Sequence, residues 1–274
     1  LRSTPFTGAT DELEICEELY NECCLVVQYI TKNDVVALLE AHKNERGVKH
    51  WQGLGSALSS YGIGLTQLRK IAKIIGRNHA LAQTLWRSDI YDAKVISLLI
   101  DEPEKLTVEM AERQVEELES GMLAHVFASC DATLAKAEFS VGLAVSWTVS
   151  KDAMRRRCGF LLLYELSKDK ENKALDDVFF LGYIVHIQDE LQNEENWVRD
   201  AMSAALMGIG RRNRILNTAA IRAAKAIGRI EVDYGDNGCK PLDVLKHLTT
   251  NRLRSKFDRR DVERFVFRKH MDVD

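Results

Sequence analysis

Proline is almost missing from this chain. Only Pro5, Pro103 and Pro241 occur in 274 residues. Proline ends helices, and folds built from many strands need many turns, so its scarcity selects for helices of ordinary length joined by short loops. Alternating β-branched runs are also missing, apart from a short Val–Asp stretch at 230–234. From Thr66 onward apolar residues recur at helical spacing, beginning with Leu68, Ile71, Ala72, Ile74 and Ile75. The chain is therefore predicted to be all-α.

Helices are predicted near 79–87, 90–100, 107–119, 122–131, 133–148, 152–168, 176–191, 195–210 and 214–228, with short ones near 241–249 and 258–268. Residues 1–10 read as a loose lead-in before a helix opening near Thr10 or Asp11. Thr31-Lys32-Asn33-Asp34 is a capping signal ahead of Val35 and Leu39. The glycine-rich stretch from Gly53 to Gly64 reads as a looped connection. It lacks the Gly-Lys-Ser/Thr ending of a phosphate loop, which argues against nucleotide binding there. No helix of this length buries an apolar face alone, so the helices must pair and stack. The segments opening at Tyr91, Arg157 and Arg199 share a layout at offsets of roughly 40 residues or their multiples, the period of HEAT-type repeats. The expected architecture is a curved α-solenoid of HEAT-like repeats. It divides into an N-terminal helical segment (1–60), a repeat domain (61–250) and a basic C-terminal tail or helix (251–274).

Net charge is −3 and the pI is near 6.2, which taken alone argues against a nucleic-acid partner. The charge is uneven, however. Six carboxylates crowd residues 11–22, while arginine and lysine gather in the second half. A local basic groove is compatible with an acidic average. The candidate groove residues come in successive stripes: Arg155-Arg156-Arg157, then Arg199, then Arg211 and Arg212, then Arg222, Lys225 and Arg229. Arg222 and Lys225 have no acidic residue at helical i±3 or i±4 spacing, and the one four past Arg229, Asp233, falls beyond the predicted helix. If corresponding faces of stacked repeats align, these stripes merge into one DNA-binding surface. The competing account is a set of solvated faces. A second candidate pair is Phe127 and Asp131, four residues apart and so on one side of a helix. It reads either as a site facing the groove or as a packed aromatic followed by a carboxylate that caps the next helix or pairs with Arg156 or Arg157. His186, near Asp189 and Glu190, reads as a surface pair.

The six cysteines show no C-x-x-C spacing, and no histidines stand at zinc-finger distances. They are expected to be reduced thiols, and no metal or cofactor is predicted. No apolar run is long enough to span a membrane. The expected setting is cytoplasmic, beside the nucleoid or in the nucleus, and the expected state a monomer.

From about Leu65 to Leu248 the chain resembles the AlkD-like DNA alkylation repair family. The landmarks are Leu85-Trp86-Arg87-Ser88 with Ile90-Tyr91-Asp92-Ala93, the Phe127–Asp131 helix, Arg155-Arg156-Arg157-Cys158-Gly159, Trp197-Val198-Arg199-Asp200-Ala201, and Ala226 to Asp233 leading into Gly238-Cys239-Lys240. The resemblance implies HEAT-like helix pairs and duplex DNA, damaged or distorted, as partner. Where members are active, it implies N-glycosylase chemistry on cationic alkylated purines. In that chemistry an aspartate stabilises the positive charge developing on the sugar, and two aromatic residues pack against that sugar. The resemblance places the aspartate at Asp131, the first aromatic at Phe127, the second at Ala204, and the arginine that grips the DNA backbone at Arg156 or Arg157. One aromatic is thus changed and one lost, so DNA binding is expected to persist with excision weakened or absent. The alternative is a non-catalytic helical scaffold for proteins or structured DNA.

Overall fold

The computed structural model describes residues 30–54, 56–118, 121–130, 132–235 and 238–259. Among them it contains helices and connecting loops, with a single isolated bridge between Ser59 and Ile90 in place of any sheet. The helices are α1 (Lys32–Ala41), α2 (Glu45–Gln52), α3 (Leu65–Ile75), α4 (His79–Trp86), α5 (Tyr91–Ile100), α6 (Val108–Glu116) and α7 (Gly121–Ala128). They continue with α8 (Ser140–Thr148), α9 (Ala153–Leu166), α10 (Asp177–Glu190), α11 (Asn196–Gly210), α12 (Arg214–Ile227) and α13 (Val244–Leu248). Residues 251–259 are helical as well. The helix expected near residue 10 and the C-terminal residues from 260 lie outside the described residues. No described helix is long and apolar enough to cross a membrane.

Two rows form. In the first, α5, α7, α9, α11 and α13 lie side by side; in the second, α4, α8 and α12 pack on α5, α9 and α11, with α10 against α12. Short polar side chains start most of these helices by capping free backbone amides. Thr31 and Asp34 make a reciprocal capping box at α1; Asn78, Thr107, Asp152, Asp176 and Asn213 each cap with a side-chain oxygen. Helix α9 is the central plank, and two glycines let its neighbours approach. A Cβ on Gly159 would stand 2.7 Å from the Thr148 amide nitrogen of α8. A Cβ on Gly208 of α11 would stand 2.7 Å from the Tyr164 ring of α9.

The segment before residue 61 shares the common core. Val35 and Leu39 are fully buried. The buried Asp92 carboxylate at the start of α5 accepts from the Ser60 hydroxyl (2.8 Å) and from the amides of Tyr61 (2.8 Å) and Ile63 (3.1 Å). The Ile90–Ala93 landmark thus ties the Gly53–Gly64 loop to the repeats. One predicted helix is broken. In place of 133–148 there is a 3-10 turn at Leu134–Lys136 followed by α8. Thr133 is the reason: its amide and hydroxyl both donate to the Leu98 carbonyl (3.2 and 3.1 Å), pinning the chain to α5 instead of opening a helix.

Candidate nucleic-acid interface

The three consecutive arginines at the start of α9 have different partners. Arg155 donates to Glu112 (2.9 Å) and Glu116 (2.7 Å) of α6. Arg156 makes a two-pronged pair with Glu194, at 2.8 and 2.9 Å, and also donates to the carbonyls of Ser150 and Lys151. Both partners of that pair are mostly buried, so Arg156 joins the α8–α9 turn to the loop before α11. That corrects its assignment as a free DNA-binding group. Arg157 is only 4% exposed, yet it has no hydrogen bond and no ion pair among the described residues, and its Nε is buried without an acceptor. Its guanidinium lies over the indole of Trp197, 4.8 Å from the ring centre. Burial pulls its pKa below the ordinary arginine value, opposed by Cys158 and Asp200.

Trp197 sits in the first turn of α11, one position off the apolar stripe, and is 39% exposed. Its other neighbour is Tyr234, edge-on at 5.6 Å. The loop carrying Tyr234 is clipped to α11 at two points. Asn196 exchanges hydrogen bonds with the backbone of Asp233, at 2.7 Å in both directions. The Tyr234 hydroxyl donates to Asp200 at 2.7 Å, and burial together with that carboxylate raises its pKa well above the usual tyrosine range. Beside Trp197 on the same helix, Arg199 is half-buried, and its Nε also has no acceptor. Helix α7 contributes His125, mostly buried, whose pKa is lowered first by burial and then by Arg157, against the pull of Asp200 and Glu165. His125, Arg157, Trp197 and Asp200 thus gather where α7, α9 and α11 run side by side.

The other candidates fall elsewhere. Asp131 lies outside the described residues. The turn leading to it is held from two sides: the Cys130 carbonyl accepts from Arg69 (3.2 Å) and its amide donates to Glu165 (3.3 Å). Cys130 has a φ of 59°, in the left-handed region. Of the two readings of Phe127 the packed aromatic holds: it is 1% exposed, with ring centres 6.4 Å from Trp86 and 6.1 Å from Trp147. Its side of α7 faces the core. Ala204 is half-buried on α11. Arg212, also read as a DNA contact, is buried. It donates to the carbonyls of Ser167, Asp169 and Leu175 and lies over Phe180, so it caps the end of α9. Arg211, Arg222 and Lys225 are exposed, with no ion pair among the described residues, while Arg229 pairs with Glu231 at 3.3 Å. Helix α12 belongs to the second row and Arg157 and Arg199 to the first, so the expected single stripe is divided between layers. His186 packs against Phe160 and Tyr183 rather than a carboxylate. No group of three potential metal ligands occurs among the described residues.

Residues 35–234 match the model of a family described as DNA alkylation repair enzyme. The chain belongs to that family. Two curated bacterial relatives match most of this chain and nearly all of their own length. Uncharacterized protein Lin0241 of Listeria innocua is 26% identical, over 82% of this chain and 99% of its own length. Uncharacterized protein Lmo0209 of Listeria monocytogenes is 26% identical, over 83% of this chain and all of its own. A solved structure described as "A new family of proteins related to the HEAT-like repeat DNA glycosylases with affinity for branched DNA structures" superimposes with a TM-score of 0.73. It covers 83% of this chain and 96% of its own at 21% identity, and so establishes the HEAT-like helical architecture for this DNA alkylation repair family member.

In the sequence Trp197 and Asp200 stand only as landmarks, and His125 and Tyr234 do not stand out. Trp197 carried a readable signal, since a tryptophan in a helix's first turn, off the apolar stripe, has no place in the core. His125 and Tyr234 carried none, because the packing of α7 on α9 and the loop clips to α11 bring them in.

Proposed function

We propose that this protein binds DNA through the surface shared by α7, α9 and α11, as a structure-selective binder in which base excision is weak or lost. The carrying observation is Arg157, a nearly buried cation that forms no ion pair among the described residues. A buried unpaired charge costs several kcal/mol or more, and a DNA phosphate is an anion of the right geometry to offset that cost. The exposed indole beneath the guanidinium holds its plane and offers a face for a base or sugar. Arg199 supplies a second under-satisfied donor on the same helix as Trp197. Affinity for branched DNA in the structurally similar protein supports junctions as the preferred form. Weak excision follows from the site's walls. Phe127 is packed in the core and Ala204 has no ring, so nothing in either position presses an aromatic face on the sugar, and a loosely placed reacting centre loses orders of magnitude in rate.

The test is a salt titration of the full chain against a linear duplex and a four-way junction, alongside an assay for release of methylated purine. We expect affinity to fall steeply with salt, tighter binding to the junction, and little or no release of base. Binding to neither DNA at low salt would overturn the reading and leave a protein-binding scaffold. Rapid base release, abolished by Asp131→Asn, would overturn its non-catalytic half.

A further inference from the structure

The sequence holds one stretch with the alternation of a β-strand, Ile230-Glu231-Val232-Asp233, and no strand pairs with it among the described residues. Its side chains nevertheless alternate as a strand's do: Ile230 is half-buried, Glu231 exposed, Val232 buried and Asp233 exposed. Its backbone alternates as well. In a strand, the amides and carbonyls of successive residues point to opposite edges. One edge is clamped by side chains from the α10–α11 junction. Gln192 donates to the Arg229 carbonyl (3.0 Å), and Asn196 bonds both the amide and the carbonyl of Asp233 (2.7 Å each). Glu231 falls between these two clamps. The amides and carbonyls of Ile230 and Val232 belong to the other edge, and they form no hydrogen bond among the described residues.

Unpaired backbone groups in a surface loop are ordinarily satisfied by water. Here they border a groove of about 740 Å³ whose opposite wall is the segment from Pro241 to Leu245. A strand pairing with Ile230 and Val232 would run along that groove, about 4.8 Å from them. Its inward side chains would lie beside Ile230 and Val232 and meet Leu242 and Leu245. Its outward side chains would stand beside Glu231 and Asp233. The charge of the groove is acidic. Arg229 is matched by Glu231 at 3.3 Å. The carboxylates of Asp233 and Asp243 accept from the amides of Gly235 and Lys246 (2.8 Å each) and form no ion pair among the described residues. Such a rim repels a phosphate backbone and favours a cationic polypeptide.

We infer that the Ile230–Val232 edge is a docking site for an extended, basic segment of a partner protein, which joins it as a second strand. The alternation of this chain sets that of the partner. Apolar residues match Ile230 and Val232 on the inner face, and lysine or arginine matches Glu231 and Asp233 on the outer one. The inference does not depend on the DNA-binding reading. It adjoins that surface, because the segment continues into Tyr234, which packs on Trp197 and donates to Asp200. A partner docked in the groove therefore sits beside the Arg157 interface.

The experiment adds synthetic peptides of about seven residues to the full chain. One alternates lysine and valine, a second is the same peptide N-methylated along its backbone, and a third alternates glutamate and valine. Affinity is measured by titration, and amide exchange is followed residue by residue by NMR. The lysine–valine peptide is expected to bind and to slow exchange at the Ile230 and Val232 amides while leaving Glu231 unchanged. The methylated peptide should bind about tenfold more weakly or worse, having no donors for the edge. The glutamate–valine peptide should lose about threefold to tenfold, and Glu231→Lys, an exposed change, should weaken the lysine–valine peptide by about threefold. Equal affinity for the methylated peptide, or binding that leaves exchange at Ile230 and Val232 unaltered, would overturn the strand pairing. Preference for the glutamate–valine peptide would overturn the basic partner. No binding of any peptide at about 1 mM would overturn the site. A short duplex DNA that protected the same two amides better than the lysine–valine peptide would give the edge to DNA and overturn the assignment to a polypeptide.

Discussion

On one side of α9, Arg155 and Arg156 are closed into ion pairs with α6 and the loop before α11. On the other, Arg157 is more deeply buried, lies over the Trp197 ring and forms no ion pair among the described residues. The three residues are consecutive, and helical geometry fans them over a wide arc, so adjacent positions reach different neighbours. The first two act as ties between repeats, and their charge is spent within the protein. The third is held ready by packing, with its charge still available. A run of arginines is therefore not a measure of nucleic-acid affinity. What matters is which members the fold has already neutralised.

The largest expected effect comes from crossing the two sides. Arg156→Ala leaves the mostly buried Glu194 without its two-pronged partner and should destabilise the fold by about 2 to 4 kcal/mol. At this chain length that is a fall in Tm of very roughly 5–15 °C, read by thermal denaturation. Arg157→Leu should do the opposite. It removes an uncompensated buried charge, so Tm should hold or rise. Junction affinity should fall by roughly 10- to 100-fold, the worth of a charge-assisted hydrogen bond of about 1.5–3 kcal/mol. If Arg157→Leu unfolds the chain while Arg156→Ala selectively abolishes DNA binding, the two sides have been assigned the wrong way round.

A smaller effect sharpens the binding side alone. Trp197→Ala removes the platform under Arg157 and the exposed face beside it. Cation–π contact is worth about 0.5–2 kcal/mol, so junction affinity should drop by roughly 3- to 30-fold with little change in Tm. Trp197→Phe should recover most of the loss. Equal losses in the two variants would show that an aromatic face alone is not what Trp197 supplies.

The sequence made the helices legible because each carries its own evidence. Apolar residues at helical spacing located α9, α11 and α12 within a residue or two, and Thr31, Thr107 and Asn213 cap where short polar side chains should. Helix α2 escaped, since none of its side chains is fully buried and only Val48 and Trp51 mark its apolar face. The site was less legible for a reason visible in the ion pairs. Local spacing points to partners one turn away, at i±3 or i±4. The real partners of Arg155, Arg156 and Arg212 lie about one repeat away: Glu112, Glu194, and the carbonyls of Ser167 and Leu175. Stacked repeats place such residues in register, and local spacing holds no record of it. Phe127 failed for a related reason. Its spacing to Asp131 assumes one helix through both, whereas α7 ends at Ala128, and the packing of Trp86 and Trp147 decides that Phe127 faces inward.

The smallest expected effect concerns His125, which lies where the two kinds of environment meet. Arg157 and Arg69 disfavour its protonation while Glu165 and Asp200 favour it, and burial decides the balance toward the neutral ring. Its pKa in the folded chain is therefore below the ordinary histidine value of about 6.5. As pH falls through that value, the unfolded chain takes up a proton that the folded chain does not, so stability declines on acidification. A phosphate bound at Arg157 would offset the arginine's charge at the imidazole and make protonation easier. DNA binding should then take up a proton, and affinity should rise as pH is lowered from about 7.5 to about 5.5. His125→Gln, which keeps a polar side chain of similar reach, should flatten both trends. The check is a pair of pH series, thermal denaturation of the free chain and junction binding at constant ionic strength. Trends of equal slope in wild type and variant would separate His125 from the interface. A variant that lost the stability trend but kept the binding trend would place the DNA phosphate elsewhere than beside Arg157.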